Sequence, residues 1–113
     1  MLSAMKVVTK LIKIRDAMNS VSGNVYHYKR PKDVKPAWIV WQEDGSSTDM
    51  WANNHMSEQQ LHGTVDLYTL QEYDPLIDEI QEALNGVMIG WSLQMVDYED
   101  ETNLIHYEWE WTL

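Results

Sequence analysis

The run Ile105-His106-Tyr107-Glu108-Trp109-Glu110-Trp111-Thr112-Leu113 decides the fold. Its large apolar residues fall on every second position, and polar or acidic residues fill the gaps. A period of two is the period of a strand, so the segment predicts a strand with one aromatic face and one acidic face. Just upstream, Trp91, Leu93 and Met95 alternate with Ser92 and Gln94 in the same way. The acidic stretch Asp97 to Asn103 separates the two runs, and the three together predict a hairpin.

Working outward, Leu61 to Leu70 (LHGTVDLYTL) predicts a further strand. Gly63, Val65, Leu67 and Thr69 face one way; His62, Thr64, Asp66, Tyr68 and Leu70 face the other. Asp74 then offers an N-cap, with Pro75 at the first helical position. Leu76, Ile77, Ile80, Ala83 and Leu84 form the apolar stripe of a helix that Asn85-Gly86 should close. Ala37 to Gln42 reads as a strand covered on both faces, because both alternating sets are apolar. Asn24 to Tyr28 is a short strand. Residues 4 to 18 predict a first helix, with Val7, Val8, Leu11, Ile12, Ile14 and Met18 inward and Lys6, Lys10 and Lys13 outward. Residues 43 to 60 (EDGSSTDMWANNHMSEQQ) are polar and turn-rich, and read as a long loop between antiparallel strands. The sum is one α+β domain over residues 1–113: a mostly antiparallel twisted sheet of about five strands, with two helices packed on one face.

Charge is distributed unevenly. All eight Lys and Arg lie in the first 35 residues, beside only two acids; the remaining sixteen Asp and Glu follow Pro36 with no Lys or Arg among them. A chain this polar attracts copies of itself head to tail and repels other polyanions, which argues against general nucleic-acid binding. There is no Cys, hence no disulfide and no thiolate chemistry. The opening residues do not read as a signal peptide, and no stretch is apolar enough to span a membrane. A soluble protein made in a cytoplasm is expected. The rings are six Trp and six Tyr with no Phe, a choice that suits surfaces apolar on one side and wet on the other, and equally a Trp-rich core.

A search for chemistry returns little. His27, His55, His62 and His106 show no metal-binding spacing. The acidic run from Asp97 to Glu101 lacks the glycine of an EF-hand loop. No glycine-rich phosphate loop and no GxSxG is present. The expectation is therefore a binding or assembly role, with no catalytic residue, no cofactor and no metal. In such a role Lys6, Lys10, Lys13, Arg15, Lys29 and Arg30 are candidates for a subunit interface. Met50, Trp51 and Met56 are apolar residues on the 43–60 loop that suit contact with a partner.

As a whole the chain resembles the small tail-completion, or tail-terminator, proteins of long-tailed bacteriophages and prophages. The resemblance runs from the first helix to the final hairpin. It is carried by Gly23-Asn24-Val25-Tyr26, by Pro36-Ala37-Trp38-Ile39-Val40-Trp41, by the long polar loop, by the strand Gly63 to Leu70, by Tyr73-Asp74-Pro75-Leu76 and by the closing segment Tyr98 to Trp111. It implies a virion protein assembled in the host cytoplasm as a homo-hexameric ring. Such a ring caps the tail tube, ends tube polymerisation and offers the surface for head-tail joining to a connector or stopper protein. DNA passes through its hole without specific binding. On that reading Met50, Trp51 and Met56 meet the tube or connector, and Glu43, Asp44, Asp49, Glu108 and Glu110 are candidates for an acidic lumen. Another phage neck component, either a head-closure or a minor capsid protein, is the alternative. A small acidic DNA mimic fits less well, because it gains nothing from a basic first third.

Overall fold

The structure, a computed structural model, describes the backbone of residues 6–52, 55–87 and 90–113, and their side chains apart from those of 47–58. The elements run α1 (Val7–Val21), β1 (Val25–His27), β2 (Trp38–Ala52), β3 (His55–Thr69), α2 (Leu76–Val87), β4 (Gly90–Glu99) and β5 (Leu104–Thr112). The strands form one sheet in the order β1-β2-β3-β5-β4. β1 pairs parallel with β2, and every other pairing is antiparallel. The α+β architecture expected from the sequence is the architecture observed.

Strand alternation builds the core. Ile39 and Trp41 of β2, Val65 and Leu67 of β3, and Trp109 and Trp111 of β5 are buried together with Ile14, Ala17 and Met18 of α1 and Ile80 and Leu84 of α2. Gly63 belongs to the same face, opposite Trp111. A Cβ there would lie 2.5 Å from the Trp111 ring and 2.8 Å from the Glu43 backbone, so the missing side chain is the space the indole fills. The Asp74 carboxylate accepts from the Leu76 N–H at 2.9 Å and from the Thr69 hydroxyl at 2.6 Å, which caps α2 and ties it to the end of β3. The helix carries through Gly86 to Val87, one residue past the expected stop.

Two expectations are corrected. Residues 43–60 are not a loop: β2 and β3 continue as a paired ribbon to Ala52 and from His55, with irregular register between Glu43 and Gly45 and again between Ser47 and Trp51. β5 stops pairing with β3 at His62, and main-chain bonds between Leu61 and Leu113 mark the limit. Beyond that point the ribbon has no third strand. Its residues are mostly polar and turn-forming, and so its sequence looks like a loop.

The second correction concerns α1. Its core face is Lys10, Ile14, Ala17 and Met18, a spacing of four, three and one. Lys10 is only 8 % exposed, not on the wet side. Its ammonium donates to the Leu113 carbonyl at 3.0 Å and to the Gln59 carbonyl. The aliphatic stem passes through the core, and the charge ends on acceptors where β3 and β5 part. Val8 and Ile12, counted with the core stripe in the sequence, point outward instead.

Candidate assembly surfaces

The sheet face away from the core carries a ladder of rings. Trp38, Tyr68 and His106 stand side by side in register on β2, β3 and β5. Trp38 and Tyr68 stack at 5.1 Å, and Tyr68 and His106 at 4.2 Å. The Arg30 guanidinium covers the outer end, 4.2 Å above the Trp38 ring. This arginine and Tyr68 bury Trp38 on the open side, so the double covering expected of β2 holds at Trp38.

Carboxylates lie beside the ladder. Asp66 and Glu108 are direct cross-strand partners, and like charges so placed repel. His106 Nε2 meets Asp66 Oδ1 at 2.7 Å. Burial, and then the Asp66 charge, raise the Glu108 carboxyl above the ordinary range, with His106 pulling the other way. Burial also raises the Tyr68 phenol, reinforced by Asp66, Glu99 and Glu108 and opposed by Arg30. One ligand atom each from Asp66, His106 and Glu108 lies within 4.8 Å of the others. The His106–Asp66 bond relieves this crowding from within. A hollow of about 590 Å³ opens here, bounded by Tyr28, Lys29 and Arg30 on one side and Glu99, Thr102 and Leu104 on the other.

The candidate lumen acids are not gathered in one patch. Glu108 and Glu110 alternate onto the open face. Glu43 lies at the β1 edge, two residues past Trp41, where it accepts from His27 at 2.7 Å and from the Tyr28 hydroxyl at 2.6 Å. Burial alone would raise the Glu43 carboxyl, but these two bonds outweigh it and hold it below the ordinary range. The same bond raises the Tyr28 phenol. His27 is sandwiched by rings, 3.8 Å from Trp41 and 3.7 Å from Tyr28. Asp44 pairs with His62 at 2.5 Å, at the β2 bulge. The side chains of Asp49, Met50, Trp51 and Met56 lie outside the described residues.

Of the candidate interface cations, Lys6, Lys13, Arg15, Lys29 and Arg30 are exposed, whereas Lys10 is committed to the interior. Among the described residues the one ion pair made by a Lys or Arg joins neighbours, Arg15 and Asp16, at 3.0 Å. Lys29 and Arg30 nevertheless border the same hollow as Asp66, Glu99 and Glu108, so part of the basic third faces acids of its own copy. No local spacing announces the His–acid pairs, because each joins residues 16 to 40 positions apart that only the strand register brings together.

No helix among the described residues is long and apolar enough to cross a membrane. No family model matches the chain, and no curated protein matches its sequence. Among solved structures, a chain of the "Virion of native gene transfer agent (GTA) particle" is similar in fold, with a TM-score of 0.57 at 9 % identity, over 91 % of this chain and 88 % of that one.

Proposed function

We propose that this chain is a structural virion protein that assembles as a ring on the phage tail tube, ends tube polymerisation and prepares the surface to which the head attaches. The observation that carries the reading is the fold shared, over nearly the full length of both chains, with a chain of a gene transfer agent virion. The charge layout supports it. A copy with exposed lysines in its first third and a long acidic remainder is suited to contact with another copy. Exposed ion pairs contribute only about 0–1 kcal/mol each, so they orient the copies and apolar contacts hold them. The open face, with Asp66, Glu108 and Glu110, suits the lumen, because an acidic wall lets DNA slide without sticking. Partners on this reading are other copies of the chain, the tail tube protein and a connector or stopper.

The test is assembly in vitro. Purified protein is added to polymerising tail tubes, and the tubes are imaged in negative stain. Rings at one tube end, with tube growth halted, are the expected result. Protein that ignores tubes but stays on DNA-filled heads would move the assignment to a head-closure component of the same neck.

A further inference from the structure

The sheet ends in two unlike edges, and each keeps apolar surface that the fold leaves bare. At the β1 edge α1 turns Val8 (67 % exposed) and Ile12 (41 %) outward. With Leu11, Arg15, His27 and Trp41 they border a groove of about 350 Å³. At the far edge β4 exposes Leu93 (41 %), Val96 (55 %) and Tyr98 (54 %). These three share one face because of a bulge. Leu93 pairs with Trp109, then the register slips by one, and Val96 and Tyr98 pair with Tyr107 and Ile105. Regular alternation would have placed Met95 and Asp97 there instead. The slip keeps Asp97 off this face and lines up three large apolar side chains on an edge strand.

Charge follows the same division. Asp97 lies between Val96 and Tyr98, and Glu99, Asp100 and Glu101 follow Tyr98 directly. The groove contains Arg15, which is paired with the exposed Asp16, and lies beside the exposed Lys13. An apolar strip flanked by acids therefore sits at one end of the strand order, and an apolar groove flanked by bases at the other. Neither surface is complementary to itself, which disfavours a two-fold contact. Each is complementary to the other, and unlike surfaces on opposite edges are satisfied by head-to-tail association.

We infer that the β4 edge of one copy, through Leu93, Val96 and Tyr98, docks in the α1 groove of the next, with Asp100 and Glu101 of the β4–β5 turn meeting Lys13 beside the groove. The inference rests on the self-assembly part of the function proposed above and assigns its two surfaces.

Two variants of the full chain test it by sedimentation. V8E/I12E blocks the groove, and L93E/V96E blocks the strip, so that the two blocked surfaces repel each other; all four positions are exposed, and circular dichroism checks that both variants fold. Wild type is expected to form a multi-subunit particle that loosens as salt is raised. Each variant alone is expected to sediment as a monomer, its association weakened about 100-fold by a charge buried without a partner. Mixed in equal amounts, the variants are expected to form a dimer and nothing larger, because together they retain one intact pair of surfaces. A monomeric wild type, a blocked variant that assembles as wild type does, or a mixture that stays monomeric would overturn the inference. Tube capping is scored separately. A mixed dimer with no capping by wild type sinks the tail-terminator function and leaves the interface standing. Capping by either blocked variant sinks the interface and leaves that function standing.

Discussion

The two faces of the sheet use the same kinds of side chain in opposite ways. On the helix side, Trp41, Trp109 and Trp111 are buried among aliphatic residues of α1 and α2, and the Trp109 indole N–H donates to Gln81 at 3.1 Å. On the open side, Trp38 and Tyr68 belong to a ladder that begins at a guanidinium and ends at an imidazole, with carboxylates alongside. The lesson is that alternation along three strands separates the work. One set of rings holds the domain together by excluding water, and the other forms a surface whose properties depend on the charges around it. The first set should be sensitive to volume and indifferent to pH, and the second should be the reverse.

The largest test of that division is W109A. Removing a fully buried indole leaves a cavity between sheet and helices, and the expected loss is about 3–5 kcal/mol, a large share of the stability of a domain this size. Denaturant unfolding followed by circular dichroism measures it. A loss below about 1 kcal/mol would mean that the helix face is not the core. Next comes R30A, which uncovers Trp38. A partly exposed cation–π contact contributes about 0.5–1 kcal/mol, so a small shift in midpoint is expected, with tryptophan emission moving to longer wavelength as Trp38 meets water. Unchanged emission would show that Arg30 does not cover the ring.

The smallest effect is expected at E108Q, and its sign depends on pH. The Glu108 carboxyl is raised in the folded chain, so folding favours its protonated form. Wild type therefore has its full stability below the ordinary carboxylate pKa, about 4.3, and loses some as pH rises from there through the raised folded value. The variant has no charge to develop. It should be the more stable form at pH 7, with the difference fading by about pH 4. Thermal unfolding at both pH values reads this directly, and a difference independent of pH would mean that folding does not raise the Glu108 carboxyl.

How much of this was legible beforehand follows from what each segment buries. β5 and α2 each bury one face, so their apolar positions recur at the periods of strand and helix, and both were read correctly. In the outer part of the β2–β3 ribbon the described side chains, Ser46, Gln59 and Gln60, are polar and half-buried, and so carry no apolar alternation to read. α1 was read as a helix but turned by part of a revolution. Six apolar residues offered two overlapping stripes, and the choice was settled by Lys10, whose ammonium found two carbonyls far along the chain. Val8 and Ile12 were left outside as a result. The open-face ladder and the His–acid pairs were out of reach in principle, since they depend on which strands are neighbours and in what register.

That ribbon also has a mechanical meaning. Past Leu61 it leaves the body of the domain like a cantilever, within a molecule 54 Å long and about half as wide. Its two long margins hold main-chain donors and acceptors that no third strand of the described residues engages. A neighbouring molecule can therefore join this arm edge to edge without anything in the domain first having to open.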